Sequence, residues 1–149
     1  MEVTERLAII EACRALIYRY AYLNDERDYG ALADLFTEDA VFCRPSAPDK
    51  PIIGRDAILA SFNARPTDLV TFHMTSDVLI EVESSERARA RSRILLFSSP
   101  RSPDGARPDM ARTAPPLQGM LRDSLSLTAA GWKFSQRVGA LWLPSVRSR

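Results

Sequence analysis

The sequence predicts an α+β domain, with helices gathered in its first half and strands in its second, and three observations predict it. Apolar residues Ile9, Ile10, Cys13, Leu16, Ile17, Tyr20 and Leu23 recur at three- and four-residue spacing, the signature of a helix with one buried face. From Val70 onward the repeat shortens to two, placing Val78, Ile80 and Val82 on one face of a strand and Ala88, Ala90, Ser92 and Ile94 on one face of the next. The length, 149 residues, suits one hydrophobic core, so residues 1–149 are expected to form a single domain.

The first helix is expected over 4–23, with Thr4 as its N-cap and Glu5 in the first turn, where the helix dipole favours an acid. An acidic turn of Asn24, Asp25 and Glu26 follows, and Asp28 caps a short second helix that delivers Leu32, Leu35 and Phe36 to the core. A brief extended piece over 40–43 leads into a loop marked by Pro45, Pro48 and Pro51. After Gly54 a third helix over 55–62 carries Ile58, Leu59 and Phe62, and it ends before Arg65 and Pro66.

Charge sets the register of the first hairpin. With Ser84, Ser85 and Glu86 as a three-residue loop, Glu83 faces Arg87, Glu81 faces Arg89 and Asp77 faces Arg93, whereas a two-residue loop sets acids against alanines and mixes the faces. Residues 99–116 hold half of the ten prolines and read as a long loop within the domain. A connection of that length is a lid, a mobile surface excursion or an arm that grips a partner subunit. The last strands are expected over 117–129 and 132–143, joined at Ala130 and Gly131, which sets Leu127 against Phe134 and Asp123 against Val138. The polar tail 144–149 is expected to fray.

Composition narrows the function classes. Hydrophobic residues make up 46% and charged residues 26%, and no stretch approaches the roughly 20 apolar residues of a membrane span. The opening MEVTERLAII is acidic where a signal peptide is basic, so the expected location is cytoplasmic. Cys13 and Cys43 lie far apart and are expected to be free buried thiols. One histidine and no Cys cluster argue against a metal, and no cofactor motif is present. The net charge is +1 and the Arg ladder is neutralised by the facing acids, so no nucleic-acid partner is expected.

Three positions stand out chemically. Asp25 sits at a helix C-terminus, where the dipole disfavours negative charge. It either pairs with His73, holding the imidazole in one tautomer as a proton acceptor, or helps cap the next helix in a solvated turn. Strict alternation puts His73 with Thr71, Thr75 and Asp77, off the apolar face, and a β-bulge near 74–76 reverses that assignment. Asp123 shares the parity of Leu121, Leu125 and Leu127, so its carboxylate is either a cavity acid or a structural group held by an arginine or by the tyrosines of the first helix.

The strings RYAYLNDERDYGALADLFTEDAVF, GRDAILASF, TFHMTSDVLIEV, ARARSRILLF and GWKFSQR together resemble the SnoaL-like branch of the nuclear transport factor two superfamily. The resemblance covers nearly the whole chain. It implies a cone-shaped, curved antiparallel β-sheet covered by three N-terminal helices that enclose a pocket, and a homo-oligomer formed through the sheet. Within that branch the chain looks similar to the scytalone dehydratase-like group, whose helix-end Asp and strand-start His match Asp25 and His73. That group's second His is absent here, and Asn24 stands where its first Tyr would be. Tyr20 matches the oxyanion-stabilising Tyr of ketosteroid isomerases, whereas Arg44 replaces their proton-shuttling Asp. The resemblance therefore implies a cofactor-independent lyase or isomerase acting on a small hydrophobic oxygenated ring compound, with His73 as base, Asp25 orienting it, and Tyr20 and Asp123 hydrogen-bonding substrate oxygens. A non-catalytic binding or accessory subunit, as in ring-hydroxylating dioxygenases, is the alternative.

Overall fold

The computed structural model describes residues 1–105 and 107–142. Helix α1 (Val3–Glu26) and the short α2 (Tyr29–Ala33) lead into strand β1 (Phe36–Arg44), edge strand β2 (Ala47–Ile53) and helix α3 (Arg55–Asn63). Four long strands follow: β3 (Leu69–Val82), β4 (Arg87–Pro100), β5 (Leu117–Thr128) and β6 (Gly131–Leu141). All six strands form one curved sheet in the order β2-β1-β6-β5-β4-β3. The α+β expectation holds, but the sheet is mixed, because β1 runs parallel to β6. A parallel pair needs a long crossover, and the chain between these two strands provides it. Among the described residues no helix is long and apolar enough to cross a membrane.

The helical boundaries shift for local reasons. Glu2, extended, takes the N-cap position expected of Thr4, and no side chain caps the first turn. At the other end the helix runs through Asp25 and stops at Arg27, which adopts the left-handed conformation (φ 61°) while the Asp28 amide returns to the Leu23 carbonyl. Asp28 caps α2 as expected, its carboxylate accepting from the Ala31 amide at 3.1 Å. The proline-marked segment is largely strand rather than loop: Pro48 and Pro51 lie in β2, at the sheet edge, where a missing N–H costs no ladder bond.

Two bulges decide which side chains face inward. The β3/β4 hairpin has the expected register at its tip, with Glu81 opposite Arg89 and Val82 opposite Ala88. The register then shifts between Ser76 and Leu79, where Asp77 takes a left-handed φ of 51°. Aspartate is one of the few residues that tolerate this conformation. The bulge lies slightly beyond the expected 74–76, leaves Ser76 rather than Asp77 in the rung opposite Arg93, and still lets the Asp77 carboxylate reach Arg93 at 3.2 Å. It reverses the alternation, so His73 and Thr75 face inward with Val78 and Ile80, while Phe72 and Met74 turn out to solvent.

At the β5/β6 hairpin the turn falls one residue earlier than expected, at Ala129 and Ala130, with Thr128 paired to Gly131. Glycine suits the first position of β6 because its φ is 98°. The earlier turn makes Leu125, in place of the expected Leu127, face Phe134, and a second bulge between Ser124 and Leu125 then sets Asp123 opposite Arg137 in place of the expected Val138. Strand β6 ends at Leu141, and the expected end at Leu143 and the tail 144–149 lie outside the described residues.

Helix α1 packs on β3 and β6, and α3 covers β1 and β2. Between them sits an aromatic cluster in which the Tyr20 ring meets Phe36, Phe62 and Phe134 edge-on, with centroids 6.1, 6.3 and 6.0 Å away. Each such pair adds about 0.5–1.5 kcal/mol to its burial. The proline-rich excursion is largely structured. Strand β4 extends to Pro100, Arg101 bridges Pro108, a 3-10 turn spans Met110–Arg112, and Ser99 Oγ donates to the Asp109 carbonyl at 2.7 Å. Pro108 and Met110 line an open apolar groove together with Phe72, Met74 and Phe97 on the outer face of the sheet, away from the helices; Ala106, within the excursion, lies outside the described residues.

Candidate functional site

The last turn of α1 and the first half of β3 bring Asp25 and His73 together. His73 Nδ1 lies 2.5 Å from Asp25 Oδ1, which also accepts from Thr71 Oγ1 at 2.9 Å, and Asp25 Oδ2 accepts from the His73 backbone N–H at 2.7 Å. Three donors from one strand thus hold a carboxylate that the helix dipole disfavours. The His73 side chain is only 10% exposed.

The other ring nitrogen faces Asn24. Arg65 can only donate, and its Nη1 lies 2.6 Å from Asn24 Oδ1, so the amide nitrogen of Asn24 points toward His73 Nε2, 3.4 Å away. Nε2 must then be the acceptor and Nδ1 the protonated nitrogen. The chain Arg65, Asn24, His73, Asp25 therefore selects one tautomer and holds Nε2 at the cavity wall, its lone pair engaged by the long contact with the Asn24 amide.

The cavity has a volume of about 130 Å³ and lies between the helices and the inner face of the sheet. Tyr20, Phe42, Phe62, Ile94 and Leu121 supply its apolar wall, and His73, Asn24, Arg44, Arg65 and Arg137 its polar groups. Burial raises the Tyr20 pKa, with Arg137 pulling it back, so the hydroxyl stays a protonated donor near neutral pH. An apolar cavity of about 150 Å³ can hold benzene, so this one has the scale of a single ring.

Asp123 takes a different place from the one expected of a substrate-binding acid. It is 3% exposed on the inner face but does not line the cavity; its carboxylate lies 3.6 Å from Nε of Arg137, and neither of its oxygens has a hydrogen bond. Burial pushes its pKa up to about 6, against the opposing pull of Arg137. Arg137, fully buried, spans the gap to the cavity, its guanidinium carbon 4.1 Å from the Tyr20 ring centroid and 4.4 Å from that of Phe134. Arg137 is the functional candidate that sequence reasoning missed. The sign that pointed to it was the unmatched carboxylate at Asp123, which required a counter-charge on a neighbouring strand. Among the described residues no three His, Cys, Asp or Glu side chains are grouped to hold a metal ion. Cys13 and Cys43 are free and buried.

Residues 5–138 match the family model of a SnoaL-like domain. Among curated proteins, none matches the chain. Solved structures show the same fold. A scytalone dehydratase candidate from Novosphingobium aromaticivorans is 23% identical, with a TM-score of 0.80 over 99% of this chain and 94% of that one. A protein of the same organism, described as similar to nuclear transport factor two with a cystatin-like fold, is 26% identical, with a TM-score of 0.76 over 97% and 90%. A type 2 hexachlorocyclohexane dehydrochlorinase is 17% identical, with a TM-score of 0.78 over 99% and 97%.

Proposed function

Starting from the SnoaL-like domain family, to which this chain belongs, we propose that it is a cofactor-independent lyase or isomerase that takes an acidic proton from a small oxygenated ring compound. The observation that carries this reading is the His73–Asp25 contact at 2.5 Å, with Nε2 at the cavity wall an acceptor held only by a long 3.4 Å contact from the Asn24 amide, which must give way to the substrate proton. His73 Nε2 removes a proton from carbon next to a carbonyl, and Asp25 balances the imidazolium that forms. The electron pair of the broken C–H bond moves onto the carbonyl oxygen, where the Tyr20 hydroxyl and the Arg137 guanidinium stabilise it. Arg137 thus takes the part first given to Asp123, which acts as a positioning residue beneath it. In an isomerisation the proton returns to another carbon; in an elimination the electron pair expels a leaving group from the neighbouring carbon.

The test is incubation with ring ketones bearing either a β-leaving group or a β,γ double bond, followed by the ultraviolet absorbance of the conjugated product. Product formed by the parent and lost in His73→Gln supports the reading. Binding of such rings without conversion hands the site to the binding or accessory alternative.

Self-association through the outer sheet face is part of the same proposal. Phe72, Met74 and Leu79, each at least half exposed, support it. Sedimentation velocity checks it, with a purely monomeric protein as the contrary result.

A further inference from the structure

Three arginines and no carboxylate line the cavity. Arg137 has Asp123 beneath it. Arg44 and Arg65 have no such partner: neither forms an ion pair with an acid among the described residues. The Nη2 of Arg44 donates to the Ser61 carbonyl at 2.5 Å, and Nη1 of Arg65 donates to Asn24. Both guanidiniums lie against one ring, that of Phe62, at 5.3 and 5.7 Å from its centroid. Both side chains are half-buried. Two like charges lie on one aromatic wall, and desolvation, followed by the repulsion from Arg65, lowers the Arg44 pKa. A protein keeps such a pair at a net cost unless something else supplies the missing negative charge.

We propose that the substrate of this site is a ring carboxylate, whose carboxylate is seated by Arg44 and Arg65 at the Phe62 wall while its ring occupies the cavity before His73. Guanidinium is the group best shaped to hold carboxylate oxygens, and a single ring matches the cavity's scale. The inference builds on the proton-abstraction reading and adds a substrate class to it. It explains why the proline-flanked strand β1 delivers an arginine, Arg44, into an otherwise aromatic wall. It also gives Arg65 two tasks, since the same side chain that meets the anion fixes the amide of Asn24 against His73.

The test uses benzoate, which has no enolisable proton, so that binding is read apart from chemistry. Titration calorimetry compares benzoate with benzamide in the parent, in Arg44→Gln and in Arg122→Gln, whose arginine is exposed on the far face of the sheet. Expected are benzoate binding at least about tenfold tighter than benzamide, loss of that preference in Arg44→Gln, and its retention in Arg122→Gln. Benzamide binding as well as benzoate, neither binding into the millimolar range, or Arg44→Gln keeping the preference overturns the proposal. Benzoate binding with no conversion of any ring ketone leaves the anion site standing and removes the base role. Conversion confined to uncharged ketones does the reverse.

Discussion

Replacing Asp25 by Asn should invert the tautomer of His73, and the geometry says why. Oδ2 of Asp25 accepts from a backbone N–H that can only donate, so the amide oxygen of Asn must take that place. The amide nitrogen then occupies the position of Oδ1, facing His73 Nδ1, and Thr71 can rotate its hydroxyl to accept. Nδ1 becomes an acceptor, the ring proton moves to Nε2, and Nε2–H meets the amide nitrogen of Asn24 donor to donor. The opposite amide orientation leaves the backbone N–H of His73 without its acceptor, at about 1–3 kcal/mol. Either way the base is disabled. In a catalytic triad the wrong tautomer costs about 10⁴ in rate, and about 10³–10⁴ is expected here. Stability changes less, by about 1 kcal/mol, because lost charge-assisted bonds are offset by removing an acid from the helix C-terminus. With one histidine in the chain, two-bond ¹⁵N–¹H correlation of labelled imidazole reports the tautomer without ambiguity. The parent should show the proton on Nδ1 and Asp25→Asn should show it on Nε2. A parent protonated on Nε2, or a variant that keeps Nδ1–H with a rate within about tenfold of the parent, refutes this chain of reasoning.

Other positions give separate tests. Asp77→Val places a β-branched residue at φ 51° and should cost about 1–2 kcal/mol in urea unfolding while lowering activity, whereas Asp77→Gly should be tolerated. A Cβ at Gly139 would lie 2.5 Å from Cγ of Pro45, so Gly139→Ala should destabilise by about 1–3 kcal/mol and weaken benzoate binding through the adjacent Arg44. The folded state holds the Asp123 proton more tightly than the unfolded chain, with a pKa of about 6 against an ordinary value near 3.9. Its contribution to stability is therefore fully present below about pH 4 and is lost as pH rises through about 6, by about 3 kcal/mol. Urea midpoints of the parent should fall across that window relative to Asp123→Asn, and parallel curves would contradict the assignment.

Much of this arrangement is legible in the residues, and the parts that are not share a cause. The acids at Glu81 and Glu83 and the arginines at Arg87 and Arg89 point to the tip register of the β3/β4 hairpin because a two-residue loop, one residue out of step, sets acids against alanines. The misplaced charge of Asp25 likewise signals a partner. The inward turn of His73 depends on one aspartate in a left-handed conformation, which alternation shows only as a contradiction between Phe72 and Val78. The β5/β6 bulge is quieter still. The earlier turn moves Asp123 from Val138 to Gln136, and the bulge moves it on to Arg137 through small changes of backbone angle that no side chain announces, and so Arg137 stayed out of the expected site. Pro48 and Pro51 are read as loop residues unless the strand is known to be an edge, a property of the assembled sheet rather than of the segment.

The most direct test of His73 as a carbon base is deuterium uptake from heavy water by cyclohexanone and by an oxocyclohexane carboxylate, followed by NMR in the presence of the parent and of His73→Gln. The account predicts exchange beside the carbonyl with the parent, faster for the carboxylate, and none above background with His73→Gln. Equal exchange with parent and variant, or none with either, would contradict it.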